Sequence, residues 1–364
     1  MPTTTFLPRA RAAAAAAFAV LLAQSVAFAA VPQRAAHVRS GVVGRLGHVV
    51  TIGSTVDPQN GDENPYGLAI APVTSGVVTA GDLIVCNFND AFNIQGLGTT
   101  LEVLHPAPGS TPTRLIADGR VTGCAALATG TTDDFPWIAA FTANDNPIVS
   151  DTGQVVDNLT GGPLAQPWGQ TFSGTPGIRG VAAFYESNAF DGSIVRINVT
   201  KKGRFTYDKI ATGFSVNHGV PGTVLAPAGL TYDATDDILY IVDSDSNRLV
   251  AFAQPGKIPA GGITVTPSGF GGSFGASARV VYAGAPLKAP ISAALLFNGD
   301  VVVGNTANNR LIEIDPSGKV AGMKLLDSGP PGALFGIAAS GTSIATTKIY
   351  FNDDNANAVE VLEP

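Results

Sequence analysis

Charged side chains are scarce in this sequence. Asp, Glu, Lys and Arg make up 13% of its 364 residues, and the formal net charge is −7. The densest basic cluster is Lys201-Lys202-Gly203-Arg204, which reads as a solvated turn at a strand end. Nucleic acids and anionic membranes need a basic face, so neither is an expected partner. Cysteine is nearly absent. Cys86 and Cys124 are too few for a four-ligand zinc site. In an oxidising compartment they could pair, and two buried thiols are the alternative. Histidine occurs only at positions 37, 48, 105 and 218. Glu, Lys and Met are sparse, whereas 43 Gly and 25 Pro accompany many Val, Ile and Thr. That composition favours short strands joined by many turns. Mean hydropathy is positive, which argues against a disordered chain.

Long apolar runs are missing beyond the first 29 residues. Within them, Arg9 and Arg11 precede an uncharged apolar stretch at 12–26, and Ala27-Phe28-Ala29 has the small-x-small form of a cleavage site. Residues 1–29 therefore read as a secretory signal peptide, too short in its apolar part to span a bilayer. The expected location is periplasmic or secreted. Residues 30–41 read as a flexible tail, and 42–364 as one closed all-β unit.

What is present is repetition. A turn of small residues, usually with Gly, opens an apolar strand six times. The copies are Pro65-Tyr66-Gly67-Leu68, Thr122-Gly123-Cys124, Pro167-Trp168-Gly169, Pro227-Ala228-Gly229-Leu230, Pro290-Ile291-Ser292 and Leu334-Phe335-Gly336-Ile337. Most are followed by a second strand, an Asn/Asp-rich turn and a third strand. A period of roughly 45–60 residues with several strands per unit is the pattern of propeller blades. The clearest unit runs Ile238-Leu239-Tyr240-Ile241-Val242, Asp243-Ser244-Asp245-Ser246-Asn247, Arg248-Leu249-Val250. The sixth unit has no outer strand of its own. A spare strand, His48-Val49-Val50-Thr51-Ile52, precedes the first, paired in expectation with Gly41-Val42-Val43. Surplus and deficit predict that the N-terminal strand closes the ring, leaving no open edge. The Gly-rich stretch 267–276 reads as a flexible connector between blades four and five.

The repeats resemble NHL-type six-bladed β-propellers. The resemblance is carried by Pro-x-Gly-Leu/Ile on strand one, Leu239-Tyr240-Ile241-Val242-Asp243 on strand two, and the Asn-Arg-Leu of Asn247-Arg248-Leu249 and Asn309-Arg310-Leu311 before strand three. It implies the fold more than a function. Gluconolactonase-like hydrolases, streptogramin lyases and peptide-amidating lyases are similar propellers, with Glu, Asn, Asp or His ligands at the channel mouth. The matching positions here hold Tyr66, Thr122, Trp168, Ala228, Ile291 and Phe335. None is a metal ligand of that kind.

The turns between strands two and three should share a face with the loops entering strand one. They carry Asn87, Asn89 and Asp90; Asn144 and Asp145; Glu186 and Asn188; Asp243 and Asp245; Asn305 and Asn308; Asn352 and Asp353. Such oxygens suit Ca²⁺ or Mg²⁺. Equally, Asn and Asp collect in hairpins because they form Asx-turns and tolerate left-handed backbone. Asp243-Ser244-Asp245-Ser246-Asn247 opens like a calcium loop, but Arg248 and Gln254 replace its Gly and Glu. His218 lies on the loop entering blade four, where imidazole could act as base or ligand. Tyr66, Trp168 and Phe335 recur at equivalent positions, either lining a pocket or plugging the channel. Gly271-Gly272-Ser273-Phe274-Gly275 matches a nucleophile elbow without the helix that mechanism needs.

The expected protein is thus a monomeric binding scaffold. It takes a small molecule, glycan or protein on Tyr66, Asn87, Trp168, Glu186, Asp243, Asn305, Phe335 and Asn352. The alternative is a divalent-metal-dependent lactonase or lyase using Asp243, Asp245 and Asp353, with His218 as its catalytic group. Metal dependence separates the two.

Overall fold

The computed structural model describes residues 41–130, 135–176, 182–199 and 204–364. The leader, nearly all of the expected tail and residues 201–203 lie outside the described residues. Six sheets, each built on four antiparallel strands, form the blades of a ring. Their inner strands are Glu63–Ile70 in blade I, Cys124–Ala128 in blade II, Pro167–Pro176 in blade III, Pro227–Asp233 in blade IV, Pro290–Leu295 in blade V and Leu334–Ser340 in blade VI. Each packs on the inner strands of its neighbours. In blade IV the second, third and outer strands are Ile238–Asp243, Arg248–Ala253 and Ala278–Ala283, and the other blades repeat that meander. Blade VI takes its outer strand from the front of the chain. His48–Ser54 runs antiparallel to Ala358–Glu363, with His48 opposite Glu363 and Ser54 opposite Ala358. The spare strand therefore closes the ring, as its position in the sequence predicts.

The glycine has a steric cause in four of the opening phrases, at Gly67, Gly169, Gly229 and Gly336, where the neighbouring inner strand comes within contact. Every inner strand carries a register shift near its start. A Cβ on Gly169 would lie 2.0 Å from the carbonyl oxygen of Ala228, and one on Gly336 2.5 Å from that of Tyr66. Between blades the cores are apolar. Trp137 of blade II is buried against Phe172, Phe184 and Phe205 of blade III, at 4.7–5.6 Å between ring centroids.

Two segments differ from the sequence expectation. Gly41-Val42-Val43 is not a strand, because Val43–Arg45 forms a 3₁₀ turn. The Glu313 carboxylate accepts the amides of Val42 and Val43, each at 2.8 Å, and satisfies the donors that a helix start leaves free. Val42, Val43 and Leu46 are buried with Leu311 of blade V and Leu334 of blade VI. Adjacent Val42 and Val43 read as a strand, but the turn buries both, together with Leu46. The stretch 267–276 does not join blades IV and V. It lies between the third and outer strands of blade IV, in an excursion whose hairpin, Ile263–Thr266 with Gly269–Gly271, extends the edge of blade III. Arg196 anchors that excursion. Its buried guanidinium donates to the carbonyls of Pro255, Gly256 and Ile258 and to Asp208, at 2.8–3.0 Å.

Candidate functional site

The start of each inner strand lies beside the end of its second strand. Glu63 faces Asn89, Pro167 faces Asn188, Pro227 faces Asp243, Pro290 faces Asn305 and Leu334 faces Asp353. The second-to-third turns and the loops entering the blades therefore share one face, here called the channel face.

At its centre the aromatic set meets. Tyr66 stacks between Phe88, at 4.1 Å, and Phe335, at 3.7 Å, while Trp168 lies edge-on to Phe141 at 5.3 Å. Tyr66 and Trp168 are buried with Ala228 and Ile291 in one cluster, which plugs the channel mouth. Burial, with the Asp354 carboxylate nearby, pushes the Tyr66 phenol well above its ordinary value. Below the plug, strands of all six blades enclose about 100 Å³, lined in part by Gly67, Ala126, Gln170, Gly229, Ser292 and Gly336. Organic ligands fill pockets several times larger, of about 300–1,000 Å³.

The turn amides are engaged by the fold. Asn87 donates to the Thr55 carbonyl at 2.8 Å and to the Thr100 hydroxyl at 3.1 Å. Asn305 donates to the Pro286 carbonyl at 2.8 Å and accepts the Lys288 amide at 3.1 Å. Asn352 donates to the Gly67 carbonyl at 3.2 Å, across the junction of blades VI and I. All three are fully buried. A further set has a use that the sequence reading did not foresee, although it named Asn144 among the turn residues and Asn247 and Asn309 in the repeat motif. Asn144, Asn247, Asn309 and Asn357 end their turns in left-handed backbone (φ 48–58°). Each side-chain oxygen accepts an amide from the entry to the next blade: Gln166, Ala289 and Ala333 on loops, and Asn64 in the first inner strand, respectively.

The carboxylates are dispersed. Asp243 is buried and holds Arg248 through Nη2 at 2.6 Å and Nε at 2.9 Å. Asp245 bonds the Ser215 hydroxyl. Glu186 lies between blades II and III and accepts from Asn146 and, at 3.0 Å, from Gln170. Burial pushes its carboxyl up to about 8. Asp353 and Asp354 sit together on blade VI. Burial raises both, helped by Asp327 beside Asp353 and by Asp353 and Glu63 around Asp354, whose carboxyl reaches about 7. Asp243 and Asp245 belong to blade IV, so the three aspartates do not form one donor set. Among the described residues no three His, Cys, Asp or Glu side chains converge as a metal site.

His218 is exposed, in left-handed backbone (φ 49°), with its ring edge-on to Phe190 at 6.1 Å. It belongs to a feature that sequence reading missed. The loop at 90–99 of blade I crosses the mouth and meets the loop at 213–226 before blade IV. A Cβ on Gly96 would lie 3.3 Å from Pro221, and one on Gly222 2.8 Å from Gln95. Tyr66 lies beneath and bonds Gln95 at 3.3 Å. Phe92, Ile94 and Leu97 of the first loop, Val220 of the second and Phe190 of blade III are 85, 50, 42, 69 and 59% exposed. The loops are internally braced. Asp90 accepts the amides of Phe92 and Ile94 at 3.0 and 2.9 Å. Asn217 accepts those of Gly219 and Leu225, both at 2.9 Å, and donates to the Thr223 carbonyl at 2.8 Å. Apolar residues inside an unusually long second-to-third turn were the available signal. Beside the plug, a second pocket of about 220 Å³ is lined by Trp168, Val224, Ile291, Ala307, Pro331 and Phe335, among others.

No protein-family model and no curated protein sequence matches this chain. Solved structures do. A virginiamycin B lyase from Staphylococcus aureus, determined with quinupristin, matches 87% of this chain and 99% of its own, at 15% identity and a TM-score of 0.52. A structure of a nidogen/laminin complex matches 81% of this chain and 98% of its own, at 13% identity and a TM-score of 0.54. The chain is a six-bladed β-propeller. At these identities the likeness shows the fold alone.

The same propeller carries the Cys86–Cys124 disulfide, which joins the second strand of blade I to the inner strand of blade II. Both cysteines are buried, so neither is offered to a ligand.

Proposed function

We propose that the protein is an exported, NHL-type propeller that recognises another protein through its channel face. The observation that carries this reading is the braced apolar crest of Phe92, Ile94, Leu97, Phe190 and Val220 above a plugged mouth. Exposed apolar clusters of this kind mark interaction surfaces. A surface already held in shape avoids the ordering cost that a flexible loop would meet on binding. The central space, about 100 Å³, is smaller than the pockets that drug-sized ligands fill. The disulfide supports an oxidising, extracytoplasmic setting. The nidogen relative was solved in a complex with laminin, which is consistent with a propeller used for protein contact.

A photo-crosslinking amino acid placed at Phe92 or Val220, in the full-length protein expressed in its own host, tests the reading. The crest positions should give one discrete protein adduct, and Thr235, exposed on a turn between first and second strands, should give none. Equal labelling from both faces would overturn it. Elemental analysis of the purified protein separates the alternative class. A divalent ion held in stoichiometric amount through chelator dialysis would favour a metal-dependent lactonase or lyase instead.

A further inference from the structure

Beside the crest, the 220 Å³ pocket has a defined chemistry. Its floor is aromatic and aliphatic (Trp168, Ile291, Phe335), and its walls are Val224 from the bracing loop, Ala307 from the blade V turn and Pro331 from the loop entering blade VI. That volume admits one large apolar side chain and is smaller than the pockets that drug-sized ligands fill.

The blade VI wall is acidic. The Asp354 amide donates to the Ala333 carbonyl at 2.8 Å, which sets Asp354 against the lining segment. Asn309 accepts the amides of Gly332 and Ala333 and donates to Asp327 at 3.2 Å, so Asp327 borders the same wall. Asp353 and Glu63 stand close to Asp354. Two cations of the face are matched: Arg248 is held by Asp243, and Lys209 by Asp191. Lys288, on the loop entering blade V, is exposed.

We infer that this pocket seats one aromatic or leucine-sized side chain of the protein partner, flanked by lysine or arginine that faces the half-buried Asp327 and Asp354. The inference rests on the channel face being a protein-binding surface, and it adds where the partner is anchored and what charge it carries. Complementary charge selects partners and orients them. A second copy of this chain would set acidic rim against acidic rim, which disfavours self-association through this face.

Two nine-residue peptides serve as probes, each with a central tryptophan, one flanked by lysines and one by glutamates. Binding to the isotopically labelled protein is followed by amide chemical shifts. The lysine-flanked peptide should perturb Val224, Gly332 and Phe335 and bind about tenfold more tightly than the glutamate-flanked one. Ala307→Trp, which fills the pocket, should abolish those shifts while the rest of the spectrum stays folded. Asp327→Asn with Asp354→Asn should remove the preference for lysine and leave tryptophan binding. Equal affinity of the two peptides, or shifts unaffected by Ala307→Trp, would overturn the inference. A crest adduct without peptide binding sinks the pocket and leaves the protein-binding reading intact. Peptide binding without any crest adduct keeps the pocket as the anchor for a protein side chain and removes the crest from the binding surface.

Discussion

Blades IV, V and VI turn between their second and third strands in four residues, at 244–247, 306–309 and 354–357. Blade I takes ten, at 90–99, for the same connection. The short turns end in left-handed asparagines that hold the next blade: Asn247 on Ala289 at 2.7 Å, Asn309 on Ala333 at 3.1 Å and Asn357 on Asn64 at 2.8 Å. The long turn has Asn93, also left-handed, but its oxygen bonds Asn89 within the turn. Blade I is joined to blade II instead by the Cys86–Cys124 bond. Blade III, whose left-handed position is Gly192, uses Ser187, which donates to the Ala228 carbonyl at 2.8 Å. Where the turn carries exposed apolar groups, another linkage holds the junction. The polar turns that look most like a site are largely structural, and the irregular turn carries the exposed apolar groups.

Four experiments would break or sharpen that contrast. Removing the disulfide with Cys86→Ser and Cys124→Ser should have the largest effect. A cross-link closing a loop of 38 residues contributes about 3–4 kcal/mol, measured as a fall in denaturant midpoint. Unchanged stability would mean that the blade I junction needs no substitute for the latch. Asn309→Ala should cost nearly as much, about 3 kcal/mol. It orphans the Ala333 and Gly332 amides and places a Cβ residue without a side-chain bond in left-handed backbone. A loss below about 0.5 kcal/mol would reduce the latches to ordinary turn residues.

Glu186→Gln should act through pH. The carboxyl lies at about 8 in the fold against an ordinary 4.5, so the folded state holds the proton more tightly. Its contribution is fully present below the ordinary value and declines as pH rises from 4.5 to 8. The variant should match wild type near pH 5, and the gap should widen in its favour by pH 8.5, read by thermal melting. Parallel pH profiles would refute the buried neutral carboxyl. Phe92→Asp with Ile94→Asp should change stability least, within about 0.5 kcal/mol, while abolishing the crest adduct. A large stability loss would move the crest from the surface into the core of the argument.

Much of this was legible in the linear chain. The opening phrases located all six inner strands, and the spare strand around Val50 pointed to ring closure. The recurrence of Tyr66, Trp168 and Phe335 placed an aromatic set at one level of the channel. The turn residues were found but not their use. Asn305 bonding Lys288 and Asn309 bonding Ala333 look, in sequence, like any amide free to face a ligand. Gly41-Val42-Val43 misled because adjacent valines suit a strand and a buried turn equally. Phe92 and Val220 were passed over because single apolar residues in turns carry no periodicity.

The sequence by itself determined the blade, since a small-residue turn, an alternating strand and an Asn-ended hairpin are local and repeat. Local geometry can be read from neighbours in the chain. Only the tertiary structure decided the surface. The crest joins loops 90–99 and 213–226 from opposite sides of the ring, and the pocket joins blades III to VI. Closing the ring sets those distances, because each blade's place depends on packing against the blades beside it. No spacing along the chain encodes which side chains then meet across the channel.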